Sequence, residues 1–143
     1  MQANLENLIA LVESDENFSA ERYEENFKFS EDAIIKIVKY NQCDRETAEK
    51  IAKTSYGAYQ IMGENIYTIC GFKNSITHFL DSPTEQKNIL SIFLYIKNIK
   101  YDLIDMITDP AKRYRFIRLY NGPASIEIYD KRLLKKFKYM INA

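Results

Sequence analysis

Glu13 closes an apolar stretch, Leu8 to Val12, and is followed at once by the polar run Ser14-Asp15-Glu16-Asn17. If that stretch is helical, two effects act together on the Glu13 carboxyl: apolar neighbours disfavour its anion, and the partial negative charge of a helix C-terminus repels it. Both raise its pKa. A carboxylic acid kept protonated near neutral pH is what cleavage of a glycosidic bond requires, because the departing sugar oxygen must receive a proton. Against this stands the ordinary fate of a Glu at a helix end, which is to be solvated.

Two further segments could supply a surface for such chemistry. Ser55-Tyr56-Gly57-Ala58-Tyr59-Gln60-Ile61-Met62-Gly63 interrupts helical patterning with small, aromatic and amide residues. Its glycines allow close backbone approach, its tyrosines offer flat faces to a sugar ring, and Gln60 can both donate and accept. Leu119-Tyr120-Asn121-Gly122-Pro123 reads by itself as a helix stop. The plain alternative for the first of these is a helix-connecting turn with packed tyrosines.

Helices must hold these segments. With only 4 Gly and 3 Pro, and apolar residues recurring at helical spacing throughout, the chain is expected to be all-α, or mainly α with a minor hairpin. Leu5, Leu8, Ile9 and Val12 form one stripe, and Ile34, Ile35 and Val38 another behind the start Ser30-Glu31-Asp32. Asp44 is placed to cap a short helix ending near Lys53. Ser82-Pro83-Thr84-Glu85 combines an N-cap, a first-turn Pro and the Glu of a capping box. The helix it opens is expected to run from Pro83 to about Ile99 and, with Ile89, Ile92, Phe93, Ile96 and Ile99 at core spacing, to be the buried central one. Asp109-Pro110 starts another through Tyr120, and a last runs from about Ala124 to Met140.

Composition narrows the class. At 143 residues, 46% hydrophobic and 28% charged, residues 1–143 are expected to form a single globular domain with one core. Equal numbers of basic and acidic residues, 20 each, give no electrostatic reason for a nucleic-acid partner. The charge is unevenly spread, acidic in the first fifty residues and basic after residue 100. No secretory signal or bilayer-spanning run is evident, so cytoplasmic synthesis is expected. One His and two distant Cys, Cys43 and Cys70, make a poor zinc set; no metal and no cofactor is expected, and both thiols are read as free. In the tail, Lys131, Arg132, Lys135, Lys136 and Lys138 interleave with Leu133, Leu134, Phe137, Met140 and Ile141. That pattern fits a weak contact with an anionic membrane or wall, and equally a terminal helix with its stripe in the core.

Taken in order, Val12-Glu13-Ser14, Arg22-Tyr23-Glu24, Ser55 to Gly63 and Tyr120-Asn121-Gly122-Pro123 resemble the N-acetylmuramidase family of phage and prophage endolysins. There a VES-type helix end precedes an aromatic-Glu segment, a SWGxxQIMG segment and a YNGP segment. The order is more distantly similar to soluble lytic transglycosylases and goose-type lysozymes. Tyr56 stands where the family usually has Trp, and Glu25-Asn26-Phe27 where relatives tend to have a His. The stretch between Glu24 and Ser55 is also short, which implies a trimmed cleft wall.

The resemblance implies a lysozyme-like fold of two lobes flanking a glycan-binding cleft, acting on peptidoglycan as a monomer. Glu13 matches the general acid. Glu24 matches a second carboxylate, as stabiliser, water activator or structural partner. Ser14, Tyr23 and the residues Ser55, Tyr56, Tyr59, Gln60, Ile61 and Met62 are expected at the saccharide, with Tyr120 and Asn121. Tyr120 is expected near the acid as a hydrogen-bond donor. The bond implied is the β-1,4 link between N-acetylmuramic acid and N-acetylglucosamine, with a lytic transglycosylase giving anhydro ends, or a non-catalytic glycan-binding domain, as alternatives. By the same likeness the protein would leave the host cytoplasm through a membrane lesion to reach the wall.

Overall fold

A computed structural model describes residues 2–142. It is mainly helical with a small sheet. In chain order the elements are α1 (Leu5–Ser14), β1 (Glu21–Tyr23), α2 (Glu31–Asn41), α3 (Arg45–Ala52), β2 (Thr54–Tyr56), β3 (Ile61–Met62), α4 (Gly63–Tyr67), α5 (Ile76–Asp81), α6 (Pro83–Ile96), α7 (Leu103–Thr108), α8 (Pro110–Asn121) and α9 (Ile126–Ile141). The helix starts follow local chemistry. Ser30 accepts from the Ala33 N–H, Asp44 from Thr47, Ser82 from Glu85 and Asp109 from Ala111 and Lys112, each satisfying donors that the first turn leaves open.

The buried central helix is α1, which corrects the expectation placed on α6. Five consecutive residues of α1, Leu8 to Val12, are buried, so the helix is apolar on every side and must lie inside. In α6 only Gln86, Ile89, Leu90 and Phe93 are buried; Ile92 and Ile96 face solvent. The helix also stops at Ile96, where Lys97 caps it and Asn98 turns left-handed at φ 58°. Ile99 is buried beyond that turn. Ile35 of α2, placed in a core stripe by spacing, is 67% exposed.

The three strands form an antiparallel sheet in the order β1-β2-β3, with Arg22 opposite Ser55 and Ser55 opposite Met62. Helices α2, α3 and α4 pack together beside it, while α9 packs on α1 and α8, and α8 on α7. On α9, Tyr129, Leu133 and Met140 are buried with Leu134 and Phe137 partly so. Its apolar stripe therefore lies in the core. Cys43 and Cys70 carry free thiols.

Candidate active site

Burial of α1 fixes where its last turn emerges. Asp15 caps the helix in the left-handed region at φ 55°, its N–H returning to Ala10 and Leu11 carbonyls, and Glu16 follows at φ 64°. This abrupt reversal leaves Glu13 as the last acid before the chain turns away. Ser14 anchors the reversal, donating its hydroxyl to the Ala58 carbonyl at 2.8 Å and accepting from the Asn17 N–H at 3.0 Å. Ser14 thus joins the helix end to the β2–β3 turn, with its hydroxyl proton committed to Ala58.

A cleft of about 430 Å³ opens beside Glu13, lined also by Arg22, Glu24, Glu25, Asn26, Phe27, Ser55, Gln60, Met62, Tyr120 and Asn121. A larger hollow, about 610 Å³, lies at the opposite end of α1 among Leu5, Leu94, Tyr101 and Leu103. Its carboxylates are Glu6 and Asp102, and none of the Ser55 to Gly63 or Tyr120 to Pro123 residues lines it, whereas Ser55, Gln60, Met62, Tyr120 and Asn121 line the smaller cleft. The smaller space is therefore the candidate site.

Burial raises the Glu13 pKa from 4.5 to about 7. Three groups oppose that rise by favouring the anion: the Tyr129 hydroxyl, which donates to Oε2 at 2.5 Å, and the cations Arg132 and Arg22. Tyr129 comes from α9 and went unnoticed in the sequence, where it merges into the tail's amphipathic pattern. A signal was present: Tyr129 shares the core-facing stripe with Leu133 and Met140, and a buried phenol needs a partner for its O–H. Its own pKa stands well above 10, pushed up by burial and by Glu13, so it remains a donor.

The donor expected from sequence, Tyr120, does something else. Its hydroxyl donates to the Tyr59 carbonyl at 2.6 Å, and its ring lies between Phe93 and Phe116. It lines the cleft as a wall that braces the β2–β3 turn.

The aromatic segment also differs from expectation. Tyr56 and Tyr59 are buried, Tyr59 with its ring edge-on to Phe18, and Ile61 is in the core; none offers a face to the cleft. Ser55, Gln60 and Met62 do line it. Gln60 adopts φ 52°, and its amide is used at both ends, donating to the Gly57 carbonyl at 2.9 Å and accepting from Ser55 Oγ at 2.7 Å. Its structural part is to shape the turn. On β1, alternation sends Tyr23 away from Arg22 and Glu24. Tyr23 sits with Phe29 and Lys53 in a separate surface hollow, Lys53 Nζ lying 5.3 Å from its ring. Glu24 faces the cleft ion-paired to Arg22 at 3.1 Å, and its N–H donates to the Lys53 carbonyl.

One more residue escaped the sequence reading. Gln86, fully buried on α6, donates to the Phe18 and Phe79 carbonyls and accepts from the Ala58 N–H at 2.9 Å. It ties the β2–β3 turn to α6 and to the chain after α1. A Gln at core spacing with Ile89, Leu90 and Phe93 was the available clue.

Comparison with known proteins bears on this arrangement. A family model described as N-acetylmuramidase matches residues 5–140. The chain is 34% identical over 135 residues to the endolysin of Enterobacteria phage PRD1, covering 87% of this chain and 90% of that relative. No solved structure matches.

Proposed function

The chain belongs to the N-acetylmuramidase family, and from that premise we propose that it degrades peptidoglycan by cutting the β-1,4 bond between N-acetylmuramic acid and N-acetylglucosamine, with Glu13 as general acid. The observation that carries the reading is the state of Glu13: shielded, with a pKa of about 7, and open to a cleft that also holds Glu24 and Arg22. A protonated carboxyl in that setting is matched to its task at neutral pH.

In this mechanism the glycan lies along the cleft between α1 and the sheet. Tyr129 occupies Oε2, and Oε1 has no hydrogen-bond partner among the described residues, so Oε1 carries the proton to the bridging oxygen. As the C1–O bond breaks, positive charge develops on the muramic ring. Glu24, ion-paired to Arg22, stabilises that charge across the cleft. A water then bonds to C1 and gives its proton to the Glu13 carboxylate, which restores the acid. Met62 and Asn121 bound the groove in which the sugars sit. Among the described residues no helix is long and apolar enough to cross a membrane. Access to the wall from the cytoplasm is assigned to a lesion made by another protein.

Glu13→Gln tests the reading. Incubated with purified sacculi, the parent should release muropeptides and the variant none, at equal binding to the sacculi. Full turnover by a folded Glu13→Gln protein would remove Glu13 from the mechanism. Mass spectrometry of the parent's products reads the second half-reaction. Attack by water leaves reducing muramic ends, whereas attack by the muramic 6-hydroxyl leaves anhydro ends one water lighter.

A further inference from the structure

Outside the cleft, the most confined charged side chains among the described residues are Arg113 on α8 and Asp130 on α9, 8% and 11% exposed. Arg113 Nε donates to Asp130 Oδ1, and Arg113 Nη1 donates to the Met106 carbonyl at 3.2 Å. One guanidinium therefore joins α7, α8 and α9. A buried ion pair adds little net stability compared with apolar side chains of similar size, so folding free energy alone gives no reason for it. What it does supply is a fixed position for whatever Asp130 is attached to.

Asp130 is attached to Tyr129. Tyr129 closes the first turn of α9 and Asp130 opens the second, and of that first turn only Ile126 also packs against the core. Ser125, its N-cap, sits in the left-handed region at φ 61° and makes no side-chain capping bond. The chain just before it is the Asn121-Gly122-Pro123 break. The nearest buried apolar contact farther along the helix is Leu133.

We propose that the Arg113–Asp130 pair is a positioning device for the catalytic acid, fixing the first turn of α9 so that the Tyr129 hydroxyl rests on Glu13 Oε2. The charged and titratable groups facing Glu13 are Tyr129 and Arg132 from α9, Tyr120 from α8, Arg22 of β1, and Glu24 and Glu25 along the cleft. Of these only Tyr129 touches the carboxyl among the described residues, and it is the one that the pair controls. The catalytic meaning of this inference rests on the proposed function; the geometric coupling does not.

The test replaces both charges at once, Arg113→Met with Asp130→Leu, so that no buried charge is left alone. Two quantities are read: the Glu13 carboxyl titration by carbon-13 NMR and the alkaline limb of the pH–rate profile on sacculi. Loss of the Tyr129 bond removes a group that favours the anion, so both should move upward by up to about one unit. In a Tyr129→Phe background the same double replacement should add nothing. Arg113→Lys, which keeps the charge but not the fork, should give a smaller upward shift, with a lowered melting temperature but a cooperative transition. An unmoved Glu13 titration in the folded double variant, or an equal shift on top of Tyr129→Phe, overturns the proposal. If the double variant does not fold, Arg113→Lys decides, and an unmoved titration there is fatal. Because the NMR readout needs no turnover, an active Glu13→Gln protein would end the functional reading and leave this coupling to be judged separately.

Discussion

Tyr129 on α9 donates its hydroxyl to Oε2 of Glu13 on α1 at 2.5 Å, across 116 residues of chain. The bond sets two opposing influences on one carboxyl. Burial disfavours the anion, and the phenol favours it; burial is the larger, which leaves the pKa at about 7 rather than higher still. A hydrogen bond to a charged group contributes about 1.5–3 kcal/mol.

Tyr129→Phe should therefore raise the Glu13 pKa by about one unit or more. The alkaline limb of the pH–rate profile should move upward with it, since the acid stays protonated to higher pH. Activity at pH 6 should change little through protonation, the parent acid being mostly protonated there already. A downward shift of the limb would show that the phenol acts on Glu13 in some other way.

Glu13→Gln should separate stability from activity. Glu13 has a folded pKa of about 7 against 4.5 unfolded, so folding takes up a proton between those values. The stability held by the protonated form is complete below pH 4.5 and is lost as pH rises through about 7. Gln does not titrate. The variant should thus match the parent near pH 4 and exceed it by about 3 kcal/mol above pH 8, while being inactive throughout. Urea unfolding at both pH values measures the difference, and a gap that does not grow with pH would contradict the shielded carboxyl.

Much of the fold was legible because it is local. Ser30, Asp44, Ser82 and Asp109 each cap a helix through donors three residues away or nearer, and such short-range chemistry survives in a single sequence. The sheet left a weaker trace. Its strands have three, three and two residues, with β1 wholly exposed and β2 wholly buried, so no alternation marks them. Glu13 could be singled out because an apolar run ending in an acid occurs in order with the Ser55 to Gly63 and Tyr120 to Pro123 segments. Tyr129 and Gln86 left only the faint mark of a polar group on a core-facing stripe, because each matters through partners from distant elements. The tyrosines of Ser55 to Gly63 misled for the same reason: an aromatic side chain that suits a sugar suits a core equally well, and here the core took both.

Removing α9 should unfold the protein. A chain ending at Pro123 loses Tyr129, Leu133 and Met140, all buried, and uncovers their neighbours on α1. Fully burying side chains of this size contributes about 1.5–3 kcal/mol each, so three approach the whole stability of a typical domain. Loss of the cooperative thermal transition in circular dichroism is expected. A truncated chain that still melts cooperatively would mean that the tail is an appendage, free to serve at a membrane or wall.

Gly57 and Gln86 should show strong coupling. Gly57 has φ 79°, and a Cβ there would lie 2.1 Å from Gln86 Oε1. A long side chain normally yields to such a clash, but Gln86 is fully buried and its amide already bonds Phe18, Phe79 and Ala58, so it has no second position. Gly57→Ala should therefore combine backbone strain of about 1 kcal/mol with the displacement of a satisfied buried amide, for a total of about 2–4 kcal/mol. With Gln86→Ala already present the clash is gone, and the same change should cost only the backbone part. Urea unfolding of the two single variants and the double variant gives the interaction free energy. Strict additivity would mean that Gln86 yields after all, and that Ser14, Gln60 and Tyr120 hold the β2–β3 turn beside Glu13 without it.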